Sequence, residues 1–172
     1  MITTFILLFT WVNAFSVKQP TIVTTSVKFT VVNAGFEVEG TLQITRVEID
    51  FDPRKLSQSS VSVVVDPSSI KTGIGVRDKH LKRSDYFDVA RYREIQLKST
   101  GFKKTGRSAF VGTFDLTIKD ITRAVEIPFT VKNDQSGTLY EARFKINRLD
   151  FKLGEDSVIL EDDVEVVALI RY

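Results

Sequence analysis

The chain contains no cysteine and a single histidine, His80. The first absence excludes disulfides, a thiolate nucleophile, sulfur-ligated metal and a cysteine-linked lipid anchor. A domain built this way is held by its apolar core alone. The second absence excludes the histidine clusters that ligate zinc. A G-x-S-x-G nucleophile elbow is missing too, so His80, Ser84 and the aspartates Asp78, Asp85 and Asp88 offer triad residue types without a triad framework. No block of one charge sign stands out. The 24 basic and 22 acidic residues are interspersed and sum to +2, which describes a solvated surface and no nucleic-acid footprint. There is no fixed-period repeat and no low-complexity linker. The one tryptophan, Trp11, falls near the N-terminus.

The longest apolar run, ITTFILLFTWV, carries no charge and leads into Val12-Asn13-Ala14. Spanning a bilayer takes roughly 20 apolar residues, more than this run supplies. Small residues at the last and third-last positions fit a signal-peptidase site, although the only positive charge ahead of the run is the α-amine. Residues 1–14 are therefore expected to be a signal peptide, with export to the periplasm and no integral span in the mature chain. Residues 15–172 are expected to fold as one domain with one core.

Most of that domain alternates with period two. Val27, Phe29 and Val31 alternate with Lys28 and Thr30 before the turn Asn33-Ala34-Gly35. Phe36, Val38, Gly40, Leu42 and Ile44 form the next inward set, which changes parity to Val47, Ile49 and Phe51. A parity switch needs one extra residue, so a β-bulge is expected near Thr45–Arg46. Val61, Val63 and Val65 make a third strand that ends at Asp66-Pro67. Ile95 and Leu97 open the next. Phe110, Gly112, Phe114, Leu116 and Ile118 share one face, as do Val125, Ile127, Phe129 and Val131. Pro128, with no N–H to donate, marks an edge or bulged stretch. Tyr140, Ala142, Phe144 and Ile146 follow, and Val164 to Ile170 complete the series. Glu161-Asp162-Asp163 lacks the spaced oxygens of a calcium loop and reads as a solvated turn. About eight hairpin-linked strands imply an antiparallel sheet that closes into a barrel around a small ligand or a filled core.

One stretch breaks the pattern: SSIKTGIGVRDKHLKRSDYFDVARYREIQLKST, from Ser68 to Thr100. Val76 to Arg83 holds no Gly or Pro, and Asp78 and Lys82 are spaced four apart, which predicts one or two helical turns acting as a lid on one barrel end. This stretch resembles the signature segment of the YceI-like family. The S-I-x-T-G opening falls on Ser69–Gly73, the R-D-x-H-L core on Arg77–Leu81, and the aromatic pair before an acid on Tyr86–Asp88. The family's Tyr-Pro step falls on Tyr92, where Arg93 stands in place of the proline. Residues 26–40, 112–127 and 146–151 are similar as well. The resemblance implies an all-β, antiparallel, eight-stranded lipocalin-like barrel with a short helical segment closing one end. It also implies an elongated apolar pocket for an isoprenoid-type lipid.

From parity, the pocket is expected to be lined by Phe29, Val31, Phe36, Val38, Leu42, Phe110, Phe114, Leu116, Ile127, Phe129, Phe144 and Ile146. Gly40 and Gly112, at inward positions, are expected to leave volume unfilled. Arg77 and His80, above Tyr86 and Phe87, are expected at the mouth. Arg77 suits an anionic head group through its two-pronged donors. The competing reading makes His80 a structural residue, fastened through Asp78 or a backbone carbonyl. No catalytic residue, metal or cofactor is expected. The expected partner is an isoprenoid or other long-chain lipid, bound for transport or storage, with a homodimer left open. The alternative is a structural or stress-related interaction domain whose core is filled and binds nothing.

Overall fold

In the computed structural model, which describes residues 26–171, the alternating segments become eight strands in one closed antiparallel barrel. These are β1 (Ser26–Asn33), β2 (Phe36–Asp50), β3 (Ser60–Lys71), β4 (Ile95–Lys104), β5 (Ala109–Ile118), β6 (Ile121–Asp134), β7 (Gly137–Asn147) and β8 (Asp163–Arg171). Each strand pairs with the next, and β8 closes on β1 through Val27↔Ala168 to Thr30↔Glu165. The leader expected over residues 1–14 lies outside the described residues. Closure leaves no full-length edge, which explains why strands with one apolar face need no covering layer.

Two bulges set the curvature. Ile44 pairs with Val65 and Arg46 with Val64, so Thr45 is the extra residue that the parity switch requires. On β4, Ser99 pairs with Phe114 and Gly101 with Thr113, leaving Thr100 extra. A larger irregularity corrects the expected end of β3. The strand does not stop at Asp66-Pro67 but runs on to Lys71. Between Gln43↔Asp66 and Thr41↔Lys71, four residues of β3 stand opposite Leu42 alone. Side chains repair the interrupted ladder: the Gln43 N–H donates to Ser69 Oγ at 2.7 Å, and the Asp66 carboxylate accepts from the Ser68 N–H at 2.8 Å and hydroxyl at 2.9 Å.

Pro128 sits where a partial edge ends. Ile121 to Pro128 pair with β5 only, and pairing with β7 begins at Phe129↔Ala142. A 3₁₀ turn, Arg148–Phe151, packs beside that unpaired stretch, with Phe151 1% exposed.

The inward glycines correct a second expectation. A Cβ on Gly40 would lie 2.2 Å from the Phe29 ring, and one on Gly112 would lie 2.4 Å from Phe114 and 3.1 Å from Phe102. The missing side chains are replaced by aromatic rings and leave no free volume there, an arrangement that also pins strand register. Phe36 corrects a third. It has inward parity but pairs with Asn33 at the β1–β2 turn and is 76% exposed, because the hairpin projects beyond the barrel rim.

The interior divides along the barrel axis. At one end Phe51 sits among Phe102, Phe110, Phe129 and Tyr140, with ring centroids 5.1–6.2 Å apart and edge-to-face. Phe110 stacks on Phe129 at 5.5 Å, and Phe102 meets Phe114 at 5.9 Å. Rings that differ so in tilt set positive edges against negative faces and fill the lumen. The opposite end carries the β1–β2 turn, the β3–β4 arm with helix α1 (Gly75–Leu81), the β5–β6 turn and the long β7–β8 loop.

Candidate functional site

That second end is hollow. A cavity of about 1180 Å³ is walled by Val27, Phe29 and Val31 of β1, Val38 and Leu42 of β2, Val63 and Val65 of β3, and Ile95 and Leu97 of β4. Leu116 and Ile118 of β5, Phe144 and Ile146 of β7, and Val164 and Val166 of β8 complete the wall. The size exceeds what most drug-sized ligands fill. A wall of this chemistry offers water no hydrogen-bond partner and favours an apolar occupant.

Seven residues expected at the pocket stand on this wall: Phe29, Val31, Val38, Leu42, Leu116, Phe144 and Ile146. Four others do not. Phe110, Phe114, Ile127 and Phe129 face the same interior but belong to the filled end, where they are 2–8% exposed. Their position on the barrel axis, not their parity, removes them from the cavity. Phe36, at the rim, is outside it as well. Phe29 and Phe144 are only half-buried, because one side of each ring faces the hollow.

The mouth lies between the α1 arm and the β7–β8 loop. Arg77, His80, Tyr86 and Phe87 all border it. Thr72 organises the arm. Its N–H and hydroxyl both donate to Asp78 Oδ1, at 2.8 and 2.6 Å, while its hydroxyl and carbonyl accept from Arg77 Nε and Nη2, each at 2.8 Å. The Thr72 hydroxyl beside Asp78 holds that carboxyl below the usual carboxylate range. Asp78 is thus the partner of Thr72. His80 turns instead to Asp85, Nε2 to Oδ2 at 3.6 Å, and sets its ring edge-on to Tyr86 at 5.0 Å.

Tyr86 lies over Gly154 of the facing loop. Gly154 has φ +74°, and a Cβ there would come within 2.8 Å of the Tyr86 ring, so glycine is required on both counts. The Gly154 N–H donates to the Asp85 carbonyl at 2.8 Å, which ties the two arms together.

The residue that sequence reasoning missed is Arg148, buried to 3% exposure at the cavity edge. Its guanidinium donates to the carbonyls of Glu161, Leu153, Glu155 and Leu160 at 2.7–3.2 Å, and Nη2 stands 2.8 Å from Asp162 Oδ1. One side chain therefore holds the β7–β8 loop over the hollow half. A lone arginine among the apolar positions of INRLDF is the only trace of this in the sequence. Asp162, read as part of a solvated turn, is the ion-pair partner. Among the described residues no group of three or more His, Asp or Glu is placed to hold a metal ion.

The fold is shared with solved proteins. Burkholderia cenocepacia BcnA superposes with a TM-score of 0.80 at 23% identity, covering 85% of this chain and 94% of that one. The Campylobacter jejuni YCEI protein gives 0.70 at 21% identity, covering 94% and 92%. A Saccharophagus degradans domain described as polyisoprenoid binding gives 0.63 at 11% identity, covering 85% and 91%. In sequence, the UPF0312 protein VPA0850 of Vibrio parahaemolyticus is 31% identical over 103 residues, 59% of this chain and 54% of its own length. The UPF0312 protein plu2095 of Photorhabdus laumondii is 34% identical over 112 residues, 62% of this chain and 58% of its own length. The chain thus spans little more than half the length of these curated relatives. The YceI-like domain profile matches residues 19–172, nearly the whole sequence and every strand of the barrel, and the chain belongs to the YceI-like family.

Proposed function

We propose that the protein binds an amphiphilic isoprenoid-type lipid, for transport or storage, without catalysing a reaction on it. The observation that carries this reading is the hollow apolar half of the barrel, about 1180 Å³, opening at a mouth lined with polar groups. Each CH₂ moved from water into such a wall contributes about 0.8 kcal/mol, so a prenyl tail gains affinity with no directed polar contact. The Saccharophagus degradans domain described as polyisoprenoid binding has the same fold and supports the choice of ligand class.

The tail occupies the hollow half, and its head lies at the mouth beside Arg77 and His80, above Tyr86 and Phe87. Arg77 spends Nε and Nη2 on Thr72, which leaves Nη1 for an anionic head. Export completes the reading: residues 1–14 act as a leader and the domain works in the periplasm. N-terminal sequencing of protein from its native host is expected to begin at Phe15 or close to it; an intact Met1 would overturn the export reading.

Solvent extraction of the purified protein followed by mass spectrometry tests the ligand class. A co-extracted prenyl lipid is the expected result. An empty extract, together with no uptake of added farnesol, would reject the carrier reading and favour an interaction domain whose cavity takes no prenyl lipid.

A further inference from the structure

We propose that the open end of the barrel docks on the surface of an anionic lipid bilayer. The proposal goes beyond the carrier reading, and its test is separable from it. Among the described residues six large apolar side chains are markedly exposed, and five of them ring the mouth: Phe36 at 76%, Ile74 at 54%, Val76 at 80%, Val158 at 105% and Ile159 at 59%. Ile74 and Val76 project from the α1 arm, and Ile159 borders the cavity from the facing loop. Asn33 bridges to Leu160 and the Ala34 N–H donates to the Ile159 carbonyl at 2.6 Å, which sets the Phe36 hairpin beside Val158 and Ile159. Apolar side chains collected on one end of an otherwise charged surface mark an interaction site.

The shape and charge of the patch select the occupant. It is a ring around an opening. A rigid protein pressed against it would leave a void where interfaces keep their dry core. A bilayer is fluid, admits apolar side chains to the headgroup boundary and fills the opening with acyl chains. On the α1 side Lys79 and Arg83 border the mouth and Lys71 and Lys82 lie on the same arm. With Arg77 they outnumber the arm's Asp78 and Asp85, the second of which stands 4.0 Å from Arg83. Glu155 and Asp156 lie on the facing loop, so the α1 side leads the approach to an anionic surface. Each such cation near the surface strengthens binding roughly fivefold.

Flotation of the full domain with vesicles that contain no isoprenoid tests this. One set is phosphatidylcholine alone and the other adds phosphatidylglycerol. The protein is expected to float with the mixed vesicles. Lys79→Ala is expected to weaken that binding roughly fivefold. The double variant Phe36→Asp, Val158→Asp changes two exposed side chains outside the cavity wall. It is expected to keep its melting temperature and its uptake of a dansylated farnesol while losing vesicle binding roughly tenfold or more. Wild-type protein that stays in solution with both vesicle types, or a double variant that floats equally well, would overturn the proposal. Light scattering that shows a two-chain particle split by the double variant would overturn it too, making the patch a homodimer seam. Vesicle binding with no farnesol uptake would sink the carrier reading and leave docking standing.

Discussion

The two halves of the barrel are built from the same alternation and differ only in what the inward positions carry. In one, Phe51, Phe102, Phe110, Phe114 and Phe129 meet ring to ring and exclude everything else. In the other, the wall is mostly valine, leucine and isoleucine, with Phe29 and Phe144; neighbours pack along the wall but do not reach across the lumen, and a cavity remains. Barrel geometry sets the diameter of both halves alike, so side-chain volume alone decides whether a segment is core or container. The aromatic half packs across the lumen, whereas the hollow half packs along its wall, where Leu42, Val63, Val65, Ile95 and Leu116 join one buried cluster. The aromatic half also gives the cavity a floor.

The sharpest way to break this division is to open the filled half. Phe51→Ala removes the ring at the centre of four edge-to-face contacts and is expected to destabilise the fold by about 3–5 kcal/mol, measured by urea unfolding. Farnesol affinity, measured where the variant is still folded, is expected to stay within about twofold, because the cavity wall is untouched. A variant that loses affinity while its stability is unchanged would show that the two halves are one site.

A matched pair of glycine substitutions separates the two halves by how freely the neighbouring ring can move. Gly112→Ala drives a Cβ into the Phe114 ring, which Phe102 hems in, and is expected to lose about 2 kcal/mol by overpacking. Gly40→Ala drives the same atom into Phe29, whose ring can swing into the hollow. It is expected to cost under about 1 kcal/mol and to reduce the length of prenyl chain accepted. Equal melting temperatures for the two variants would mean that Phe29 is as tightly held as Phe114.

At the mouth, on the hollow half alone, the expected effect is confined to a charged ligand. Arg77→Ala is expected to weaken farnesyl pyrophosphate by about 1.5 kcal/mol, the lower end for a bond to a charged group, with farnesol nearly unaffected. Calorimetric titration of both ligands checks it. Equal losses together with a lowered melting temperature would assign Arg77 to the Thr72 contacts alone.

The sequence makes the barrel legible because period two separates inside from outside along most strands, Val164 to Ile170 with its two apolar faces excepted, and because the parity change at Thr45 announces a bulge. Parity carries no information about depth along the axis. That is why Phe36, Phe110, Phe114, Ile127 and Phe129 share a pattern with Phe29 and Phe144 yet lie at the rim or in the filled end. The continuation of β3 past Pro67 was hidden because its ladder is mended by Ser69 and Asp66 side chains, not by alternation. Arg148 was hidden for a related reason: its partners are backbone carbonyls up to 13 residues away, and carbonyls leave no signature in a sequence.

On the proposed reading the hollow half, and not the aromatic half, receives a prenyl lipid. Photo-crosslinking with a diazirine-bearing farnesol, mapped to single residues by tandem mass spectrometry, tests it most directly. Saturable labels are expected on Phe29, Leu42, Leu116, Phe144 and Ile146, and competition with unlabelled farnesol is expected to remove them. Labels concentrated on Phe110, Phe114 and Phe129 would put the lipid in the aromatic half, and labelling that never saturates would mean that no specific site exists.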